Sequence, residues 1–401
     1  MQGEISTEFT LPVANHQPAE HVRLAARAEG LYVHVPFCFH KCHYCDFYSI
    51  ADRDHATGDK QGRFVDALRA ELVRWAEGDA LRPRTVFIGG GTPTLLRVEL
   101  WRTLLSDWRR LGVLDRVEEF TVEANPETLT PELADTLARG GVNRLSIGCQ
   151  SFQPDLLRAL ERWHEPASVE RAVRVARAAG IGNINLDLIF AIPGQRLDQL
   201  RDDLQRAVAL EPDHLSYYGL TYEPNTTLGV KLRLGRVSAV GEELELAMYT
   251  AVLEGAEAAG LEQYETSNFA RPGRRCRHNL VYWKRGEYLG LGPSASSHLA
   301  GQRWKTEAHL GRYVRGCPEP PIVDRETLTP QQKSDEALML GLRLRDGIAC
   351  EVLKHIAPAD SPRHEAIARM VDLGYLERTD TRLRLTRAGL PVADGVIASI
   401  L

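Results

Sequence analysis

The chain has 401 residues, of which 43% are hydrophobic and 26% charged, and its formal net charge is −5. This composition is close to that of an average globular protein, so two or three domains, or one large α/β domain with an appendage, are expected. The nearly balanced charge gives no support to a nucleic-acid partner or a membrane-surface role. No apolar run approaches the roughly 18 residues of a membrane span.

The amino-terminal sequence and the cysteine count indicate a cellular compartment. The first residues lack a basic segment followed by an apolar one, so we expect no secretory signal. Seven cysteines, an odd number in a large chain, indicate metal ligation in a reducing compartment rather than disulfides. The sequence therefore predicts a cytoplasmic protein that does not span a membrane.

Strands and helices alternate from Gly30 onward. Residues 1–29 are predicted to be a loosely ordered lead-in, in which only Val22–Ala28 could be helical. The patterns predict strands at 30–37, 85–88, 119–123, 144–148, 184–190 and 214–220, and helices at 64–75, 98–110, 131–138, 168–179 and 197–210. Single helices between strands indicate a parallel sheet. We expect a partial (β/α)6 barrel, because polar residues recur at the carboxyl ends of its strands.

The pattern changes after residue 240. A helix is predicted at about 241–259, followed by an irregular, aromatic-rich stretch to about Trp304 and a proline-rich linker near 318–321. The last 75 or so residues predict two helices and two short strands, the order of a winged-helix-like module without a basic recognition helix. The predicted domains are a lead-in at 1–29, a barrel at 30–240, an α+β insert at 241–320 and a winged-helix-like domain at 321–401.

Cys38, Cys42 and Cys45 follow the first predicted strand in the spacing C-x3-C-x2-C. Three thiolates on one loop can hold three irons of a [4Fe–4S] cluster and leave the fourth iron open to a substrate or cosubstrate. Two alternatives remain, a zinc site completed by His40 or His43, and plain buried thiols. The spacing favours the cluster.

Polar and glycine residues lie at the ends of the following strands. Glycines at 89–91 would let the backbone approach a ligand closely, and the loop lacks the spacing of a nucleotide-binding P-loop. Glu123, Gln150 and Asp187 are predicted to point into the mouth of the barrel, where Arg162 could join them. Each alone could be a helix cap or a satisfied polar residue. Together they indicate one site.

These motifs resemble the radical S-adenosylmethionine (SAM) superfamily. The resemblance rests on the cysteine triplet, Gly-Gly-Gly-Thr-Pro-Thr at 89–94, Glu-Ala-Asn-Pro at 123–126, Gly-Cys-Gln-Ser-Phe at 148–152 and Asn-Leu-Asp-Leu-Ile at 185–189. It extends from about residue 30 to the carboxyl terminus. It implies a [4Fe–4S] cluster on the three cysteines with SAM on the open iron. The SAM contacts that it implies are Tyr32, Tyr44, Gly90, Gly91, Thr92, Glu123, Gln150, Arg162, Asp187 and Thr221.

Within the superfamily the chain resembles the branch of oxygen-independent coproporphyrinogen III dehydrogenases and heme chaperones. The dehydrogenases have a fourth cysteine where this chain has Phe47, and a longer amino-terminal extension. Residues 276–283, Cys-Arg-His-Asn-Leu-Val-Tyr-Trp, resemble the H-N-x-x-Y-W motif of the chaperones. This implies heme with His278 as axial ligand and Tyr282 and Trp283 against the macrocycle. Cys276 is left without a role.

Two readings of His278 and of the function remain open. A histidine among aromatic residues is more often packed and hydrogen-bonded than a ligand. The resemblance nevertheless implies a chaperone that transfers heme to an acceptor, such as a membrane respiratory protein. Coproporphyrinogen III dehydrogenase is the alternative, and its activity is not expected.

Overall fold

The computed structural model describes residues 23–52 and 59–401. The strands are β1 (Gly30–Val35), β2 (Phe37–Cys38), β3 (Ile50–Ala51), β4 (Thr85–Gly90), β5 (Glu119–Ala124), β6 (Arg144–Gln150), β7 (Asn183–Phe190), β8 (His214–Gly219), β9 (Glu262–Glu265), β10 (Asn268–Ala270), β11 (Tyr288–Leu291), β12 (Ser296–Leu299), β13 (Gln302–Thr306), β14 (Ile322–Thr327), β15 (Ile348–Ala349), β16 (Leu376–Arg378) and β17 (Arg382–Leu385).

Helices lie between most of these strands in the chain. They are α1 (Lys60–Trp75), α2 (Val98–Arg110), α3 (Pro131–Arg139), α4 (Pro154–Ala159), α5 (Pro166–Ala178), α6 (Leu197–Ala209), α7 (Thr227–Arg233), α8 (Glu242–Ala258), α9 (Arg277–Trp283), α10 (Leu310–Gly316), α11 (Pro330–Gly341), α12 (Cys350–Ile356), α13 (Pro362–Asp372) and α14 (Ala393–Ala398). Residues 1–22, which hold most of the predicted lead-in, lie outside the described residues; of the segment Val22–Ala28, residues 23–25 are helical.

Strands β1, β4, β5, β6, β7 and β8 are neighbours in this order and run parallel. They confirm the predicted partial (β/α)6 barrel, and the predicted helices agree with the structure to within a few residues. Side chains alternate between the two faces of a strand. On β4, for example, Val86 and Ile88 are buried apolar residues, whereas Thr85 bonds a polar partner across the interior. The interior face of β4 thus carries the polar Thr85 together with the aromatic ring of Phe87, which stacks on His278.

The sequence predicts an irregular stretch to about Trp304. The structure shows instead that residues 260–306 contain five strands and a helix. β9 and β10 extend the sheet beyond β8, and β11, β12 and β13 extend it beyond β1, giving one twelve-stranded sheet with β14 at its edge. These strands have three to five residues, which is too short for a periodic pattern to be recognised. Between them, α9 lies at the amino ends of β4 and β5, below the interior of the barrel.

The carboxyl-terminal part contains α11, α12, α13 and α14 and a small antiparallel sheet in the order β15–β17–β16. This agrees with the winged-helix-like module, with two helices more than expected. Residues of this part contact the large sheet, since the backbone N–H of Arg345 donates to the carbonyl of Tyr264 at 3.0 Å. The division into domains remains a prediction. Strand β14 follows the predicted boundary at residue 320 but pairs with β13 of the large sheet. In the described part of the chain, every helix is too short or too polar to cross a bilayer.

Candidate cofactor site at the mouth of the barrel

A cavity of about 460 Å³ opens at the carboxyl ends of the parallel strands, which we call the mouth. It brings together all the predicted site residues except Tyr32 and His278. Those that line it are Cys38, Cys42, Tyr44, Cys45, Gly90, Gly91, Thr92, Glu123, Gln150, Arg162, Asp187 and Thr221. They come from β2, the loop after it and the ends of several strands, because the carboxyl ends of parallel strands share one edge of a barrel.

The three cysteines of the loop are free thiols that are partly exposed to the cavity. Thr92 Oγ1 lies 3.6 Å from Cys38 Sγ, and Arg162 Nη1 lies 3.7 Å from Cys42 Sγ. Burial raises the pKa of the Cys45 thiol to about 11 and also raises the pKa of Cys38. A cationic iron group would favour the thiolates, so the donor set fits a cluster with three cysteine ligands.

A site for one metal ion is not preformed. In residues 23–52 and 59–401, no three histidine, cysteine or carboxylate side chains converge closely enough to hold a single ion.

The three glycines of β4 and its end make room mainly for other parts of the protein. A Cβ on Gly89 would lie 2.8 Å from the Glu123 carboxyl carbon, and one on Gly91 would lie 2.7 Å from the carbonyl oxygen of Phe37. Gly90 has a φ of +103°, and its Cβ would lie 2.4 Å from the His34 ring. The expectation that these glycines let the backbone approach a ligand stays a prediction for Gly90 and Gly91, which line the cavity.

Two half-buried carboxyl groups face the cavity. Burial, and then the neighbouring charge of Asp187, raises the pKa of Glu123 to about 8, although the Gly90 N–H donates to Glu123 Oε2 at 3.1 Å. Burial also raises the pKa of Asp187, which accepts hydrogen bonds from Asn185 Nδ2 at 2.8 Å and Ser146 Oγ at 3.0 Å. At neutral pH Glu123 is largely protonated, and a cationic ligand would favour its ionised form.

Three buried polar atoms of residues that line the mouth lack partners among the described residues, and Ser49 Oγ is one of them. Among the described residues, Gln150 Oε1 and Arg162 Nε are buried without a hydrogen bond, while Arg162 Nη2 donates to the Gly148 carbonyl at 3.0 Å. Gln150 is held at a φ of +60°, in the left-handed region. Buried polar atoms in native proteins are nearly always paired. The unpaired atoms of Gln150 and Arg162 therefore indicate where a polar ligand such as SAM fits.

Comparison with known proteins gives the family. The chain matches the model of the radical SAM superfamily over residues 32–207 and that of the HemN C-terminal domain over residues 328–392. It is 38% identical to heme chaperone HemW of Mycobacterium tuberculosis (strain ATCC 25618 / H37Rv), with 93% of this chain and 94% of the relative covered. For heme chaperone HemW of Bacillus subtilis (strain 168), the identity is 34%, covering 93% and 99%. The chain belongs to the HemW family.

A solved structure supports the fold of this HemW-family chain. Coproporphyrinogen III oxidase (HemN) from Escherichia coli, a radical SAM enzyme, superimposes with a TM-score of 0.80 over 95% of this chain and 92% of the other. The sequences are 21% identical, so this likeness establishes the architecture alone.

Several residues that line the mouth had not been predicted. Ser146 and Tyr218 lie on β6 and β8, at alternate positions that face the interior, and the period-two pattern of a strand could have identified them. Phe39 and Trp163 form part of the rim, where their ring centres lie 4.8 Å apart. They come from separate loops, and no local pattern brings them together.

Tyr32 lies in a second cavity, of about 360 Å³, rather than in the mouth. Its hydroxyl lies 3.1 Å from His34 Nδ1, and His34 Nε2 lies 2.8 Å from the carbonyl oxygen of Tyr48. Asp46 and Phe47 line both cavities. The structure therefore places Tyr32 next to the mouth but apart from the other predicted SAM contacts.

His278 lies at the opposite end of the barrel, 1% exposed. Its Nδ1 is 2.8 Å from Thr85 Oγ1 and its Nε2 is 2.7 Å from the Tyr282 hydroxyl, while the ring stacks on Phe87. Burial lowers the pKa of His278 to about 3, so the ring is neutral. Neither ring nitrogen is free to bind iron in this arrangement. Direct ligation by His278 stays a prediction that would require α9 to move.

The start of α9 is anchored by Glu119 of β5. Its carboxylate accepts the backbone N–H groups of Arg277 and His278, both at 2.9 Å, and lies 3.4 Å from Cys276 Sγ. Cys276 is fully buried, and burial raises the pKa of its thiol to about 12. A buried, protonated thiol with a protein partner is not available to a ligand.

Proposed function

We propose that the protein is a heme chaperone, which binds heme, transfers it to an acceptor protein, and carries a [4Fe–4S] cluster and SAM at its mouth. The observation that carries this proposal is the similarity to relatives named heme chaperone HemW, which extends over 93% of the chain. The free thiols and unpaired polar atoms at the mouth support the cofactors.

Cys38, Cys42 and Cys45 are the proposed cluster ligands. A [4Fe–4S] cluster on three cysteines keeps one iron open, to which the amino and carboxylate groups of SAM can bind. Arg162 beside Cys42 would stabilise the thiolate electrostatically, and Thr92 would donate a hydrogen bond to Cys38. Both contacts are to the sulfur atoms themselves, so they would tune the cluster as well as hold the loop.

The proposed SAM contacts divide by chemistry. Gly90, Gly91 and Thr92 offer backbone and hydroxyl groups, and Gln150 and Arg162 offer the unpaired atoms. Glu123, Asp187 and Thr221 offer oxygen atoms for hydroxyl groups or for the cationic sulfonium, and Tyr44 offers an aromatic face. Tyr32 lies in the adjoining cavity, so we propose that it supports the SAM site without lining the mouth.

The acceptor and the compartment belong to the same proposal. Heme transfer requires a heme-binding acceptor, for which a membrane respiratory protein is the class that we propose. Three thiols that must stay reduced to bind a cluster favour the cytoplasm.

Heme transfer is tested with the full-length protein, reconstituted without oxygen and loaded with one equivalent of hemin. A heme-free cytochrome is added, either mixed with the protein or behind a dialysis membrane. We expect rapid appearance of the cytochrome spectrum only on mixing, because a chaperone hands heme over by contact. Equal rates in both arrangements, or no hemin binding at all, would contradict the proposal.

The enzymatic alternative has its own assay. The reconstituted protein is incubated with SAM, dithionite and coproporphyrinogen III, and the porphyrins are separated after oxidation. We expect unchanged coproporphyrin. Protoporphyrin formed at more than stoichiometric amounts would show that the protein is a dehydrogenase.

A further inference from the structure

The second cavity has the character of a site for a flat aromatic ligand. Its wall includes Tyr32, Tyr48, Tyr282 and Tyr288, with Phe47 at the edge that it shares with the mouth and Lys305 of β13 on another side. Lys305 has no ion-pair partner among the described residues. Aromatic walls with a few convergent polar groups are typical of sites for organic cofactors, and a free ammonium is suited to a carboxylate.

A hydrogen-bonded chain beneath this cavity ends at Tyr282. Thr85 Oγ1, the two ring nitrogens of His278 and the Tyr282 hydroxyl are linked by contacts of 2.8 and 2.7 Å. Thr85 is buried, and its hydroxyl has no other acceptor among the described residues, so it must donate to Nδ1. In the neutral ring Nε2 then carries the proton and donates to the Tyr282 oxygen. The hydroxyl proton of Tyr282 is left to point into the cavity.

The Tyr32–His34 pair in the same cavity is arranged in the opposite sense. His34 Nε2 faces a carbonyl oxygen at 2.8 Å and must donate to it, so Nδ1 accepts the proton of the Tyr32 hydroxyl. A phenolate at Tyr32 would face a lone pair, whereas a phenolate at Tyr282 would receive an N–H group. Of the two tyrosines, Tyr282 is the one prepared to lose its proton.

We propose that the second cavity is the heme site, with the Tyr282 oxygen as the ligand of ferric iron, His278 as its positioning residue and Lys305 as the partner of a heme propionate. This inference rests on the proposed function, whose cargo it locates. On binding, the O–H bond of Tyr282 breaks, an iron–oxygen bond forms and the proton leaves to water through the cavity. The iron stays ferric, and no electron is transferred.

The proposal agrees with general heme chemistry. Tyrosinate is an established axial ligand of heme iron, and a hydrogen bond to a ligand atom fixes its orientation and tunes the metal. Without iron the phenol stays neutral, because burial raises the pKa of Tyr282, and ferric iron replaces the proton. The motif at 276–283 would thus bind the iron through Tyr282. His278 would not touch the iron but would donate a hydrogen bond to the Tyr282 oxygen.

The location also connects cargo and cofactor. Asp46 and Phe47, just after the last cysteine of the loop, line both cavities. Heme in the second cavity would lie against the loop that holds the cluster ligands.

The test is a hemin titration of the full-length protein, before and after cluster reconstitution, followed by electron paramagnetic resonance and resonance Raman spectroscopy. We expect a high-spin ferric signal and an iron–phenolate vibration. Tyr282→Phe should abolish the vibration and weaken hemin binding at least about tenfold. Tyr249→Phe is the matched control, since this hydroxyl bonds Gln263 outside both cavities and should leave both readouts unchanged.

Four more variants separate the roles. Tyr282→His should convert the spectrum to that of an imidazole-ligated heme, which a merely destabilised protein would not do. His278→Ala should keep the vibration but shift its frequency, because the N–H donor is lost, and His278→Gln should restore part of the shift. Lys305→Gln should weaken binding several-fold without a spectral change.

The outcomes distinguish this inference from the proposed function. Wild-type spectra retained in Tyr282→Phe, loss of the vibration in Tyr32→Phe or Tyr288→Phe instead, or an imidazole spectrum that disappears in His278→Ala would overturn the inference while heme binding stands. Absence of hemin binding by the wild-type protein would overturn the proposed function, and this inference with it.

Discussion

Polar and ionisable side chains lie at both ends of the barrel, but their hydrogen bonding differs between the two ends. At the mouth, Glu123 is held largely in its protonated form, and Arg162 keeps a buried nitrogen without a partner. At the floor formed by α9, Glu119 accepts two backbone N–H groups, and both nitrogens of His278 are bonded. The carboxylate of Glu119 and the imidazole of His278 at the floor are therefore paired within the protein, whereas Arg162 at the mouth keeps an atom that a ligand could pair.

This difference shows why residue type alone does not identify a site. Cys42 and Cys276 are both free thiols, but one faces a cavity beside a guanidinium and the other is fully buried against a carboxylate. The cost of leaving buried polar atoms unpaired is accepted in proteins mainly where a ligand pairs them. The difference between the mouth and the floor can be tested with variants at each end, compared with control variants elsewhere in the chain.

The largest expected effect is on the cluster. Cys42→Ala should reduce iron and sulfide per chain to near zero after anaerobic reconstitution, because two thiolates and a cavity do not hold a cubane. Cys350→Ala, a partly exposed thiol of the carboxyl-terminal part, should keep the wild-type content. Chemical iron and sulfide analysis measures both. Equal loss in the two variants would show that the effect is not specific to the mouth.

The next effect is on the stability of the floor. Glu119→Ala should lower the free energy of unfolding by about 3 kcal/mol, because it leaves the buried N–H group of His278 and the partly buried N–H group of Arg277 without an acceptor. The neighbouring Glu118, which pairs with Arg84 and Arg277 at the surface, is the control, and Glu118→Ala should cost less than about 1 kcal/mol. Urea unfolding of the cluster-free protein compares them. Similar costs would mean that Glu119 does not anchor α9.

A pH effect distinguishes the mouth. The pKa of Glu123 is about 8 in the folded protein against 4.5 as its ordinary value, so the folded state binds one more proton between these pH values. Glu123 should therefore lower the stability of the cluster-free protein as pH rises from about 5 to 8, by at most about 1.4 kcal/mol per pH unit. Glu123→Gln should remove this contribution.

Unfolding free energies at several pH values between 5 and 8 measure the slope for both proteins. A wild-type slope that Glu123→Gln leaves unchanged would show that this carboxyl is ionised in the fold.

The smallest expected effect concerns Cys276. Because its thiol makes only a weak contact with Glu119 and faces neither cavity, Cys276→Ala should change stability by about 1 kcal/mol or less. Hemin affinity should stay as in the wild type. Loss of hemin binding in this variant would instead make the thiol a heme partner.

The sequence by itself determined the central barrel and most of the mouth. The helix at 98–110 was predicted with the bounds that the structure has, since its apolar residues recur with helical spacing. Cys38, Glu123, Gln150 and Asp187 could be assigned to one mouth, because the carboxyl ends of consecutive parallel strands meet at the same edge. These conclusions need only local pattern and the geometry of the βα repeat.

Tertiary structure alone decided the position of α9 and the existence of the second cavity. The strands at 262–306 are too short to show a period, and they are strands because they pair with edges of the sheet. His278 meets Thr85 across 193 positions of the chain. Whether a histidine is free or bonded depends on such distant partners, and so a motif could indicate heme while the fold assigns its tyrosine, rather than its histidine, to the wall of a cavity.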